Sequence, residues 1–297
     1  MTNRRDFLKK ASLLVAGGLV SNRVLSTHSS VYSDLKLSKK HIGLVIYSLR
    51  GDVKEIGIQK VLEAVAGMGY ENLEVNYSDG RFYDKEPAEF RKMVEDLGMK
   101  VHGSHLSRGL TDDHESDRAW WNRATDAHAA AGMKYMTMPS WPLNWDESEK
   151  SLDNVKKVGA YFNEIGLITA QKGITFGYHN HAFEFTNKID QVPIYDLLIE
   201  NTNPSYVFFQ NDVYWTQRGG CNPVDYLKKY PKRFHTLHIK DEKAVGASGT
   251  MDFKAIFKQA YANGIKDWYV EVEAYDGTPQ EDVKKSYDFL AKAKYVK

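Results

Sequence analysis

The sequence predicts a single (β/α)₈ barrel, the TIM-barrel arrangement of the α/β class. Three observations predict it: eight short β-rich runs alternate with longer amphipathic stretches, glycines recur just before several runs, and ionisable residues gather where the runs end. Such alternation argues for parallel strands joined by helical crossovers. Eight units with no internal repeat, low-complexity tract or Pro/Ser-rich linker favour closure over an open sheet. A chain of 297 residues suits one barrel with a large core.

The predicted strands are Gly43–Ser48, Asn72–Asn76, Lys100–Ser104, Tyr135–Pro139, Thr175–His181, Tyr206–Asp212, Phe234–Lys240 and Trp268–Glu273. Between them, Lys54–Met68, Pro87–Leu97, Ser116–Ala131 and Ser148–Lys172 carry helical periodicity. Met68-Gly69-Tyr70, Leu97-Gly98-Met99 and Ala131-Gly132-Met133 place glycine where a helix yields to a strand, a position that accepts left-handed backbone.

Ahead of the first strand, Asn3-Arg4-Arg5-Asp6-Phe7-Leu8-Lys9-Lys10 and the apolar run Ala11 to Val20 resemble a bacterial twin-arginine (Tat) export signal. Residues 1–35 are therefore read as signal and linker, 36–297 as the catalytic barrel, and the expected compartment is the periplasm. The apolar run is short for a bilayer span and no cysteine follows it, so no stable membrane anchor is expected. The single cysteine, Cys221, excludes an internal disulfide. A net charge of +1 without a basic stripe excludes a nucleic-acid partner.

A barrel builds its active site from strand C-termini and the loops after them. Here those ends read Leu73-Glu74-Val75-Asn76, His102-Gly103-Ser104-His105, Tyr178-His179-Asn180-His181, Gln210-Asn211-Asp212, Thr236-Leu237-His238-Ile239-Lys240-Asp241 and Val270-Glu271-Val272-Glu273. Strand alternation puts His238 and Lys240 opposite Leu237 and Ile239, and Glu271 and Glu273 opposite Val270 and Val272. His179 and His181 share a face. Burying that much charge requires compensation, which a divalent cation supplies, and a mixed His/carboxylate set suits Mn, Zn, Fe or Co better than Ca. Taken singly, Asp212 can cap a turn and Glu273 can pair with Lys240; the repetition over most strands carries the site. His28, His41, His114 and His128 show no partner pattern, and His235 faces away from His238.

Gly177-Tyr178-His179-Asn180-His181 with Glu184-Phe185, Asp212-Val213-Tyr214-Trp215 with Gly219-Gly220, His238-Ile239-Lys240-Asp241, Val270-Glu271 and Tyr47-Ser48-Leu49-Arg50 resemble the sugar phosphate isomerase/epimerase family of the xylose isomerase-like barrel superfamily. The resemblance runs from about Ile42 to the C-terminus. It implies a divalent metal (Mn, Zn, Co, Fe or Mg) held by one residue each from strands five to eight, commonly Glu, Asp, His and Glu. The last three match Asp212, His238 and Glu271. On the fifth strand His179 stands where ketose epimerases carry Glu, so His179, His181 and Glu184 are the candidates, with His181 and Glu184 favoured as nearer the rim. A second departure is Gly246-Ala247-Ser248-Gly249-Thr250-Met251-Asp252-Phe253, where relatives have a tighter Gly-x-Gly turn carrying an acid.

The expected function is that of a metal-dependent sugar isomerase or epimerase, abstracting a proton next to a carbonyl through an enediolate. Glu184 and Glu271, or Glu273, are expected to transfer protons, with Lys240 and His105 positioning substrate oxygens. Tyr47, Glu74, His102, His179 and Trp215 complete the expected substrate contacts. One alternative is a lyase or hydrolase of keto-glycosides using the same intermediate, which an export signal favours over sugar phosphates. Another is a non-catalytic sugar-binding barrel. The expected partners are a small-molecule sugar or keto sugar and, by the resemblance, a second copy of the chain in a homo-oligomer.

Overall fold

A computed structural model describes residues 40–145 and 150–297. The predicted export segment, residues 1–35, and the predicted helix start at Ser148 lie outside the described residues. Eight strands, Gly43–Val45, Asn72–Asn76, Lys100–His105, Tyr135–Met138, Thr175–His179, Val207–Asp212, Phe234–Lys240 and Asp267–Glu271, form a closed parallel barrel. Each pairs with its neighbours in sequence, and the first closes on the eighth with Gly43 beside Tyr269. Helices cover the outside, and the main apolar core lies between them and the outward face of the strands, where Leu73, Val75, Phe176, Leu237 and Ile239 point.

The predicted elements differ from the observed ones mainly at their ends. The first strand stops at Val45, and Ile46–Leu49 turns as a 3₁₀ helix. Ser48 is then fixed by accepting the Val272 N–H at 2.9 Å. The single helix predicted over Lys54–Met68 is two helices, Arg50–Ile56 and Ile58–Met68, broken at Gly57. Its φ of 82° is favourable only for glycine. The fifth strand ends at His179 rather than His181, and a single helical turn, Phe183–Thr186, follows. Among the described residues, no helix is long and apolar enough to cross a membrane.

The barrel interior is stacked in layers. Its lower layer is three rings, Tyr135, Phe208 and Tyr269, forming a small cluster of their own. They fit because Gly103, Gly177 and Gly43 face them: a Cβ on each glycine would fall closer than 3.0 Å to the opposing ring. Side chains that fill the lumen in this way make it a packed core and not a channel. The polar residues of the strand ends sit on top of this aromatic floor.

Candidate active site

Glu74, at the middle of the second strand, is fully buried and has four partners. Its Oε1 lies 2.6 Å from His105 Nε2 and 3.0 Å from His238 Nε2. Its Oε2 accepts from the Tyr135 hydroxyl at 2.8 Å and from Gln210 Nε2 at 2.7 Å. Burial by itself raises a carboxyl pKa, but His105 and His238 outweigh it and hold Glu74 well below the usual carboxylate range. The aromatic floor thus carries an anion that only hydrogen-bond donors touch.

Above Glu74, the ends of strands five to eight bring together His179, Asp212, His238 and Glu271. One ligand atom from each lies within 4.8 Å of the others, and all four residues are buried. His238 Nδ1 is 3.1 Å from Glu271 Oε2. Asp212 Oδ1 accepts the Trp215 N–H at 2.8 Å and caps the helix Val213–Arg218. Asp212 Oδ2 is buried with no hydrogen-bond partner among the described residues. An acceptor left in that state is costly unless a cation completes it. Two imidazoles and two carboxylates form a donor set for Mn, Zn, Fe or Co, so the residues present fit a divalent cation.

Charge in the cluster is finely opposed. Burial, with Glu271 close by, pushes Asp212 well above its ordinary pKa. Burial would raise Glu271 as well, but Lys240 and His238 hold it well below. Burial lowers His238, yet Glu74 and Glu271 outweigh it and push the imidazole up to about 10. Burial holds His179 well below the usual imidazole value, aided by its neighbours His238 and His105, so its ring is neutral.

A cavity of about 230 Å³ opens over the cluster, lined by Tyr47, His105, His179, His181, Glu271 and Glu273 among others. Lys240 Nζ lies 2.5 Å from Glu273 Oε2 and 3.8 Å from Glu271 Oε2, with the Trp215 ring 5.5 Å away. Tyr47 is 37% exposed at the mouth, its ring covered on one side by the Arg50 guanidinium at 4.6 Å. The His181 ring is 5.7 Å from Trp215 and 4.9 Å from His179.

Three expectations are corrected here. Glu184 stands outside the four-residue cluster and is not among the residues lining the cavity. Its oxygens accept from the Tyr178 hydroxyl at 2.5 Å and the His181 N–H at 2.8 Å, on the outward side of the fifth strand. His181, also favoured as a ligand, stands outside the four-residue cluster, and His179 holds the fifth-strand place in it. His102 is not at the rim. Its Nδ1 is 3.2 Å from the Tyr269 hydroxyl and 3.6 Å from Asp267 Oδ1, at the other end of the barrel. The pairing of the second and third strands shifts register beside it, between Leu73 and Glu74. Glu74 lies beneath the cluster and has no contact with the cavity lining beyond His105 and the buried network. Trp215 stands behind Lys240 and His181.

Two residues escaped the sequence reading. Gln210, whose inward orientation follows from that of Asp212 two residues on, accepts from His179 Nδ1 at 3.1 Å. Asn180 Oδ1 accepts the Asp212 N–H at 3.2 Å and so ties the fifth strand end to the sixth. In the divergent loop, Asp241 accepts from the N–H groups of Glu242, Gly246 and Ser248 and organises the turn.

The placement of Glu184 has a measurable consequence. Burial pushes its carboxyl up to about 7 in spite of the donors it meets. A group whose folded pKa exceeds its unfolded one binds its proton more tightly when folded. Its contribution is therefore greatest below the unfolded value, about 4.3, and is lost as pH rises toward the folded one. Glu184→Gln is expected to gain on the order of 1–3 kcal/mol over wild type between pH 5 and pH 8, with metal content unchanged. Melting curves across that range and mass spectrometry of bound metal read the two effects; loss of metal in this variant would return Glu184 to the ligand set.

A model of the family described as "Xylose isomerase-like TIM barrel" matches residues 62–293. A sugar phosphate isomerase/epimerase from Parabacteroides distasonis is 36% identical, with a TM-score of 0.78 over 88% of this chain and 98% of that one. An inosose dehydratase of Clostridium botulinum is 22% identical over 254 residues, which is 72% of this chain and 81% of the relative. A 3-keto-D-glucoside 4-epimerase from E. coli is similar in fold at 18% identity, with a TM-score of 0.62 over 79% of this chain and 94% of that one.

Proposed function

Because the chain belongs to the xylose isomerase-like TIM-barrel family, we propose that it is a divalent-metal-dependent enzyme that moves a proton next to the carbonyl of a keto sugar. Its relatives include inosose dehydratases and sugar isomerases or epimerases, which supports action on a sugar. The observation that carries the reading is the buried His179, Asp212, His238 and Glu271 cluster at the floor of a cavity walled by Glu273 and His181.

When bound, a divalent cation supplies Lewis-acid polarisation of a carbonyl, which acidifies the neighbouring C–H. The chain's own residues do the rest. Glu273, whose side chain is 27% exposed, is the proton acceptor within reach of a bound sugar. The Lys240 ammonium holds the Glu273 carboxylate in place and donates to a substrate oxygen. His181 also lines the cavity; burial holds its pKa below the ordinary value, so its neutral ring can accept a proton or a hydrogen bond from a substrate hydroxyl, and the proton taken by Glu273 is returned to carbon by Glu273 itself. Tyr47 offers an aromatic surface to the sugar at the mouth.

Arg50 is engaged by the Tyr275 hydroxyl at 3.1 Å and the Glu273 carbonyl at 3.3 Å, which leaves Lys240 as the cation facing a substrate oxygen and favours an unphosphorylated sugar. The resemblance of the N-terminal residues to a twin-arginine export signal favours a second reading on the same chemistry, in which an exported lyase or hydrolase expels a leaving group from a keto-glycoside after the proton is removed.

Incubating the Mn²⁺-loaded protein with unphosphorylated ketoses and keto-glycosides in D₂O tests both. We expect deuterium at the carbon beside the carbonyl, and a fall of about 10²- to 10⁴-fold in exchange for Glu273→Gln. Exchange with the leaving group retained marks the isomerase or epimerase, and loss of the leaving group marks the lyase. No exchange with any substrate or metal would leave a sugar-binding barrel.

A further inference from the structure

Glu74 takes no part in the chemistry above, yet it is the most heavily hydrogen-bonded carboxylate beneath the cluster. Resting on the reading of that cluster as a cation site, we infer that Glu74 is a positioning residue: directly for His238 and through Gln210 for His179, it sets which nitrogen each presents to the cation.

An ionised carboxylate only accepts, so every polar atom against it must donate. His238 Nε2, 3.0 Å from Glu74 Oε1, therefore carries its proton there, and Nδ1 is the nitrogen turned toward Glu271 and the cluster. Gln210 must present its amide NH₂ to Glu74 Oε2, because the flipped amide would set oxygen against oxygen at 2.7 Å. Its Oε1 is then fixed as an acceptor 3.1 Å from His179 Nδ1. His179 accordingly carries its proton on Nδ1 and leaves Nε2 for the cation. One buried charge thus reserves a different ring nitrogen for the cation on two ligands from different strands: Nε2 of His179 and, once its proton toward Glu271 is displaced, Nδ1 of His238. The Tyr135 hydroxyl and His105 Nε2 occupy the remaining acceptor capacity of Glu74 and keep it from rotating. A carboxylate behind a ligating imidazole that fixes its ring nitrogen is an effective way to raise metal affinity.

The test is long-range ¹H–¹⁵N correlation of histidine rings, recorded on metal-free protein and on protein titrated with Zn²⁺. In the metal-free wild type, His179 is expected as the neutral Nδ1–H tautomer. On Zn²⁺ binding, His179 should bind through Nε2 and His238 through Nδ1. Glu74→Gln offers one acceptor and one donor where four donors meet, so His179 should become a mixture of tautomers and Zn²⁺ affinity fall about 10- to 100-fold. Gln210→Leu, which leaves Glu74 in place, should scramble His179 alone and keep the His238 signals. A purely structural Glu74 would lower the melting temperature of Glu74→Gln with the His179 tautomer and the Zn²⁺-bound nitrogens of both rings unchanged, and that result overturns the inference. An Nε2–H tautomer for His179 in the metal-free wild type overturns it as well. A wild type that takes up no Zn²⁺ while keeping the Nδ1–H tautomer counts against the cation reading instead, and leaves the positioning of His179 by Glu74 supported.

Discussion

Asp212→Asn is expected to lose its cation and yet be more stable than the metal-free wild type. The substitution keeps Oδ1, which accepts the Trp215 N–H and caps the following helix. It replaces Oδ2, the buried oxygen without a partner among the described residues, with an amide that cannot ligate. It also removes one of two neighbouring carboxylates whose repulsion and burial push Asp212 well above its ordinary pKa. Relief of that conflict should be worth about 1–2 kcal/mol, or a rise of roughly 2–8 °C in melting temperature for a domain of this size. Adding Mn²⁺ at a hundred times its dissociation constant should stabilise the wild type by about 2.7 kcal/mol and leave the variant unmoved. The two melting curves therefore exchange order between metal-free and metal-loaded conditions. Proton exchange on a keto sugar should fall roughly 10³-fold, the several kcal/mol that a Lewis acid contributes. Metal analysis that finds one ion per chain in Asp212→Asn would remove Asp212 from the ligand set.

Gly103→Ala should be the most damaging small substitution in the barrel. A Cβ there meets the Tyr135 ring closer than 3.0 Å, at several ring atoms at once. The ring has little freedom to retreat, because it packs on Phe208 at 5.7 Å and its hydroxyl donates to Glu74 at 2.8 Å. Overpacking costs about 1–3 kcal/mol, and leaving a buried carboxylate one donor short adds about 1–3 kcal/mol. A loss of about 4 kcal/mol, or roughly 8–16 °C in melting temperature, follows. Circular dichroism melts decide it; a loss below about 1 kcal/mol would mean that the aromatic floor is loose. Because Glu74 shares the Tyr135 hydroxyl, the same variant should also weaken Zn²⁺ binding, linking the floor to the site above.

Much of the site was legible along the chain, and the illegible parts have identifiable causes. Asp212, His238 and Glu271 lie on inward positions near strand ends, and two-residue alternation reveals them as soon as the strands are located. His181 and Glu184 are favoured over His179 when the fifth strand is read as far as His181, because the choice depends on where that strand stops. It stops at His179, after which the chain turns and Tyr178, on the outward face, captures Glu184. His102 and His105 are three residues apart, and a register shift places the first beneath the floor and the second against Glu74. Gln210 stands in the sixth-strand motif without an expected role, because an uncharged amide carries no sign of which buried groups it will meet.

By itself the sequence determined the repeating order of strand and helix, the closure of eight units into one barrel, and the rim toward which ionisable residues converge. Those follow from local periodicity and from glycine and strand-end patterns, which act over a few residues. Only the tertiary structure decided which ionisable groups meet. It brought Glu74 of the second strand to His238 of the seventh, 164 residues away, and Gln210 to both Glu74 and His179. Contacts of that range depend on barrel radius, register and the ring-and-glycine floor on which the polar layer rests, and no stretch of sequence encodes them alone.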